Sequence, residues 1–116
     1  MKIIIITGKI GTGKTTTSLI LKNLGYDVFE CDKVTKSLYL TSIIKTQIKE
    51  IFNAKINSLF LKNGQIDLIK LGNYVFKKKD QLKKLEELLH PLIINKKREF
   101  IKKSLFYKKK LIFLDV

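Results

Sequence analysis

Eight residues near the amino terminus, Gly8-Lys9-Ile10-Gly11-Thr12-Gly13-Lys14-Thr15, restrict what this chain can fold into more than any other feature. They match the phosphate-binding pattern G-x-x-x-x-G-K-[ST] in full. An apolar run, Ile3 to Ile6, precedes them, and a helix-compatible stretch, Thr16 to Leu24, follows. Strand, glycine loop and helix form the context in which this pattern works. Gly8, Gly11 and Gly13 let the backbone turn tightly, so that successive N–H groups point inward at phosphate oxygens. A helix beginning near Lys14 aims its positive dipole end and its unpaired N–H groups at the same anion. In that arrangement Lys14 reaches the β- and γ-phosphates and the Thr15 hydroxyl ligates Mg²⁺. The octet therefore predicts a nucleoside triphosphate site. A glycine turn with an exposed lysine is the competing reading.

With 116 residues and 45% hydrophobic side chains, the chain predicts one domain, residues 1–116, with a single core. No apolar stretch approaches the ~20 residues needed to cross a bilayer. The run after Lys2 is too short for a signal-peptide core. The single cysteine, Cys31, rules out an internal disulfide and fits a reducing cytoplasm; its simplest role is that of a small buried residue at a strand end. Twenty-four basic residues against ten acidic ones give a formal charge of +14, yet Arg98 is the only arginine. Lysine runs such as Lys77-Lys78-Lys79 and Lys108-Lys109-Lys110 read as solvated helix faces in a lysine-rich composition. A nucleic-acid surface competes with that reading, because lysines attract phosphates in a salt-sensitive way. The shortage of arginine forks and of interleaved aromatics argues against it.

Consecutive apolar residues from Lys2 to Thr7 suit a parallel strand buried on both faces. The first helix should end at Leu24-Gly25, with Gly25 as a left-handed cap. Tyr26 to Cys31 reads as a second strand leading to Asp32, which makes a βαβ unit with its ligand site beyond the carboxyl ends of the strands. Helical spacing recurs from Thr41 to Phe52; Lys62 to Gln65 is a turn; Asp67 is a candidate N-cap for a helix through Phe76. Asp80 is a candidate cap for the next segment, where Pro91 should kink or break the helix before it resumes to about Leu105. Leu111 to Val116 reads as a third buried strand. Its Asp115 stands where phosphate-loop enzymes place a carboxylate that supports Mg²⁺, with a solvated strand-terminal aspartate as the alternative.

Three blocks of residues, in order and spacing, resemble the dephospho-coenzyme A kinases. Ile6 to Thr16 looks like that family's T-G-G-I-G-S-G-K-S-T, with Lys9 replacing the second glycine. Phe29-Glu30-Cys31-Asp32 is similar to its I-D-A-D segment, with Glu30 for the first aspartate. Leu85 to Ile93, containing His90-Pro91, resembles its L-E-x-I-x-H-P-x-I helix. A weaker block, Gly64-Gln65-Ile66-Asp67 through Phe76, has Leu68 in an arginine's place. The resemblance implies an α/β, three-layer P-loop kinase fold with a parallel sheet. It implies ATP-dependent phosphorylation of the ribose 3′-hydroxyl of dephospho-coenzyme A, with ATP and Mg²⁺ as cofactors. Gly11 to Thr16, including Thr12 and Thr16, would hold the triphosphate with Lys14, and Asp32 would orient or deprotonate the hydroxyl, against a competing reading as a helix N-cap or turn residue. His90 would contact the acceptor, against a competing reading as a packed structural histidine.

The resemblance covers all 116 residues but only about the first half of the family's usual length, so the expectation is a kinase truncated after its third strand or split. The lid and last strands would be absent, or supplied by a complementing C-terminal half on a separate chain. The strand before the glycine loop would then leave Ile3 to Ile6 at an exposed sheet edge or on an uncovered face. Weak nucleotide binding and little turnover by the chain alone are expected. Another small-molecule P-loop kinase, of the nucleoside monophosphate type, is the alternative within the enzymes. A basic nucleic-acid-binding fragment and a non-functional remnant are the alternatives outside them.

Overall fold

Four isoleucines in a row at the start of the chain favour an extended backbone, because branching at Cβ suits a pleated strand better than a helix. In a computed structural model, which describes residues 1–7 and 14–116 apart from the side chains of Lys14 and Thr15, they lie in β1 (Lys2–Ile6). Then come α1 (Lys14–Asn23), β2 (Asp27–Glu30), α2 (Cys31–Leu38), α3 (Ser42–Phe52), α4 (Leu68–Phe76), α5 (Lys79–Phe106) and β3 (Leu111–Asp115). The described strands form one parallel sheet in the order β1-β3-β2. None of the described helices is long and apolar enough to cross a membrane.

The chain divides into two compact units, residues Met1–Val34 with Ile93–Val116, and residues Thr35–Leu92. In the first, the pleat sorts side chains by face. Phe29 and Leu114 are register partners and share a face, and the Phe29 ring meets Phe100 of α5 at 5.6 Å between centroids. Glu30 and Asp115 point to the opposite face, where both bond to side chains of α1. The sheet thus lies between α1 and the C-terminal part of α5, the three-layer arrangement expected from the sequence.

The turn from α1 into β2 is closed by Gly25 at φ +92, a conformation that costs glycine nothing and other residues strain. The N–H of Tyr26 bonds the Leu21 carbonyl at 3.0 Å and that of Gly25 bonds the Lys22 carbonyl at 2.9 Å. These are the paired bonds of a Schellman cap.

The second unit has its own core: Ile44, Ile48, Phe52, Leu59 and Leu71 are each no more than 1% exposed. Thr41 caps α3 by accepting from the Ile44 N–H, and Asp67 caps α4 by accepting from the Lys70 N–H, as the sequence predicted for Asp67. A short bridge between Phe60 and Ile66, turning at Gly64, joins the two helices. Phe52 meets the Tyr74 ring edge-on, and the Lys78 ammonium lies 4.8 Å from the same ring.

Three expectations need correction. Pro91 does not break its helix: α5 runs unbroken from Lys79 to Phe106. Proline removes one N–H from a ladder of 28 residues, and the remaining bonds on either side carry the helix through. Asp80 lies within the first turn of α5 instead of capping it, and its carboxylate accepts from the Gln81 side chain. Finally, β1 is not buried on both faces. Ile3, Ile4 and Ile5 are 44%, 45% and 59% exposed, because β1 is an edge strand paired only with β3 among the described residues.

The contrast between edge and centre makes a prediction. Ile112→Ala, at the fully buried middle of the sheet, should lower the denaturation free energy by about 2–5 kcal/mol. Ile5→Lys should change it by no more than about 0.5 kcal/mol and reduce concentration-dependent light scattering. Equal losses in urea melts of the two variants would show that the outer face of β1 is buried in solution.

Candidate functional site

The parallel ladder levels the carboxyl ends of three strands. Ile6, Asp115 and Glu30 are register partners across β1, β3 and β2, and the Val116 N–H closes the row on the Ile6 carbonyl at 3.2 Å. The glycine octet follows β1 directly, and its Lys14 opens α1. Gly8, Gly11, Thr12 and Gly13, which the octet pattern assigns to phosphate, and the Lys9 departure fall outside the described residues, as do the side chains of Lys14 and Thr15. Thr16 is described, exposed in the first turn of α1.

Asp115 is the carboxylate of this row, 6% exposed at the end of the central strand. It is not the solvated strand-end aspartate of the competing reading. The Ser18 hydroxyl, itself 1% exposed, donates to its Oδ2 at 2.9 Å. Burying a carboxylate is costly unless donors meet it, so this bond holds Asp115 in place behind the start of α1. Ser18 was not singled out in the sequence. Its signal was a small hydroxyl four residues after Lys14, on the same helical face, ahead of the apolar Leu19-Ile20-Leu21.

Glu30 ends β2 with its side chain only 10% exposed. It pairs with Lys22 of α1 and, at 3.3 Å, with Lys33 of α2. Burial pushes the Glu30 carboxyl up, but the hydrogen bonds and charges of Lys22 and Lys33 together outweigh it and leave it below the ordinary carboxylate value. The same contact with Glu30 raises Lys22. One carboxylate thus ties together α1, the end of β2 and the first turn of α2.

Asp32 sits in that first turn, exposed, two residues beyond the strand row. The sequence reading ended a strand there; instead β2 stops at Glu30 and a helix begins at Cys31, which is half-exposed rather than buried. Asp32 therefore projects from a helix start at the same end of the sheet as Asp115 and α1. His90 belongs to the other unit and is exposed on α5, with no hydrogen-bond partner among the described residues, rather than packed as a buried structural group. Arg98 lies in the lysine-rich part of α5. Among the described residues no three His, Cys, Asp or Glu side chains gather as a metal site.

A family model described as dephospho-CoA kinase matches residues 2–116. The dephospho-CoA kinase of Bartonella quintana is 34% identical over 116 residues, covering 100% of this chain and 57% of its own length. That of Fusobacterium nucleatum is 37% identical over 114 residues, with 98% and 56% covered. Among solved structures, a dephospho-CoA kinase from Campylobacter jejuni superposes with a TM-score of 0.79 at 28% identity, covering 98% of this chain and 56% of that one. The protein TT1252 from Thermus thermophilus superposes at 0.75, also 28% identical, with 98% and 55% covered. The chain spans about half the length of the relatives it matches.

The Glu30 cluster predicts a pH-dependent contribution to stability. Its folded pKa lies below the unfolded value of about 4.3, so the contribution is whole above that range and is lost as pH falls through the depressed folded value. Glu30→Gln should cost about 1–2 kcal/mol at pH 7, a modest figure because both lysines are partly exposed. Urea midpoints of variant and parent should converge in acid as Glu30 protonates. A constant gap down to pH 2 would show that the loss is one of packing.

Proposed function

Because the chain belongs to the dephospho-CoA kinase family, we propose that it carries the nucleotide-binding portion of an enzyme that transfers the γ-phosphoryl group of ATP to the ribose 3′-hydroxyl of dephospho-coenzyme A. The observation that supports this reading best is the buried Ser18–Asp115 hydrogen bond, which joins the carboxyl end of β3 to α1, the helix that follows the octet in sequence. In parallel α/β sheets that is the end where ligands bind.

In this reading the backbone N–H groups of Gly8 to Thr16 and the Lys14 ammonium hold the triphosphate. Thr15 and Asp115 are the oxygen donors assigned to Mg²⁺. One carboxylate and one hydroxyl beside substrate phosphates suit an ion that keeps most of its own waters. When bound, Mg²⁺ supplies charge neutralisation at the phosphates. Asp32 accepts the proton of the 3′-hydroxyl as its oxygen attacks the γ-phosphorus, the bond to the ADP oxygen breaks, and ADP leaves. His90 contacts the acceptor. Phosphoryl transfer also draws on cationic groups around the γ-phosphate, and the sole arginine, Arg98, lies in α5. Residues 1–116 by themselves are therefore proposed to bind Mg·ATP weakly and to turn over slowly, with a complementing C-terminal half as the partner that would supply such groups. A cytoplasmic location accompanies this role.

Calorimetry with Mg·ATP, followed by ADP release with dephospho-coenzyme A or AMP as acceptor, tests the proposal. Binding should weaken at least about tenfold in Lys14→Ala. ADP release should require dephospho-coenzyme A and fall about 10²–10⁴-fold in Asp32→Asn, in the chain alone or joined to the C-terminal half of a relative. Release that prefers AMP, or that ignores Lys14, would overturn the assignment. Full kinase turnover by residues 1–116 alone would overturn only the need for further cationic groups.

A further inference from the structure

The sheet-bearing unit has a second recess, at the other end of its strands. It has a volume of about 550 Å³ and is lined by Asp27, Phe100, Lys103, Ser104, Tyr107 and Lys109. Asp27 opens β2, and Lys109 lies two residues before β3 opens at Leu111. Glu30 and Asp115 close the same two strands at the opposite end. At about 3.3 Å per residue, the strands alone separate the two places by roughly 10 Å. The recess is therefore distinct from the site assigned to ATP.

Its shape comes from the way α5 ends. Lys108 adopts the left-handed conformation, φ +55, which glycine usually takes at this position of a helix end. The N–H of Lys109 bonds the Ser104 carbonyl at 2.9 Å, and that of Lys108 bonds the Leu105 carbonyl at 3.0 Å. This turn folds the chain back over the last turn of α5 and brings the Lys109 ammonium to 3.4 Å from the Asp27 carboxylate.

The chemistry of the walls selects a class of ligand. Phe100 and Tyr107 supply aromatic surface, each ring set by a neighbour: Phe100 by Phe29 at 5.6 Å and Tyr107 by Phe106 at 5.3 Å between centroids. The Ser104 hydroxyl donates to the Phe100 carbonyl at 2.8 Å and so offers no free donor. Polar recognition then falls to two ammonium groups and one carboxylate. Asp27 offsets Lys109, whereas Lys103 has no carboxylate partner among the described residues. Lys102, Lys108 and Lys110 flank the recess in sequence and reinforce its positive field. A volume in the range of small-molecule pockets, with aromatic walls and a surplus cation, suits a planar ring that carries an anionic group.

We propose that this recess binds an aromatic anion of about mononucleotide size, an aryl or nucleoside monophosphate. Its ring lies against Phe100 and Tyr107, and its anionic group meets Lys103 and Lys109. The site is independent of the glycine octet.

Phenyl phosphate is the probe, titrated into the 116-residue chain while backbone amide NMR shifts are followed. Inorganic phosphate and phenol run as its separate halves. Saturable shifts are expected at residues 100–111 and Asp27. They should persist in Lys14→Ala and require at least tenfold more ligand in Lys103→Glu and Tyr107→Ala. Phenyl phosphate should bind at least tenfold tighter than either half. Both substituted side chains are exposed, and Lys103→Gln provides a milder variant if charge reversal disturbs the fold. Four results would overturn the proposal: no saturable shifts in a folded sample; shifts that vanish in Lys14→Ala; equal binding by Lys103→Gln and the parent; or inorganic phosphate binding as tightly as phenyl phosphate, the mark of a diffuse lysine surface.

Discussion

The ladder of β3 is the interaction on which the sheet-bearing unit depends. It pairs in parallel with β1 on one side and β2 on the other, and Ile112, Phe113, Leu114 and Asp115 are all buried. Three of these residues are apolar and contribute by leaving water. The fourth is a carboxylate, which the interior accepts only where donors meet it. The Ser18 hydroxyl does so from α1. A single strand thus organises the hydrophobic core of this unit, levels the strand ends and ties α1 to the sheet.

Glu30 performs a related task one strand away. Where the family pattern has aspartate, this chain has a side chain longer by one methylene, and it reaches Lys22 on one helix and Lys33 on the next. Asp32, two residues later, lies in the first turn of α2, the helix that Glu30 joins to α1 through Lys33 and Lys22. Charge pairing here does more for position than for stability, in keeping with the modest worth of partly exposed ion pairs.

Much of this was legible in the residues themselves. The left-handed Gly25, the Asp67 cap and the apolar run of β3 all rest on local chemistry that neighbours do not override. The edge exposure of β1 was legible too, but only through the family resemblance; the four isoleucines alone argued for burial on both faces. Other features depended on context that local chemistry cannot supply. Asp32 reads equally as a strand end or a helix start until the ladder shows where β2 loses its partner. Pro91 carries the strongest local signal against a helix, yet the bonds on either side of it outweigh one missing donor. Ser18 looked like one more small residue in α1, because nothing near it in sequence discloses a carboxylate 97 positions away.

The strand order has a consequence for how the chain acquires its structure. β1 and β2 never pair with each other; each waits for β3, which is made after both of them and after the whole of Thr35–Leu92. During synthesis the isoleucines of β1 therefore wait for β3, their ladder partner among the described residues, whereas Thr35–Leu92 can bury its own core from residues close together in sequence. Loop-closure entropy makes such long-range parallel pairing slow. Within residues 1–116, Thr35–Leu92 should order first and the sheet last.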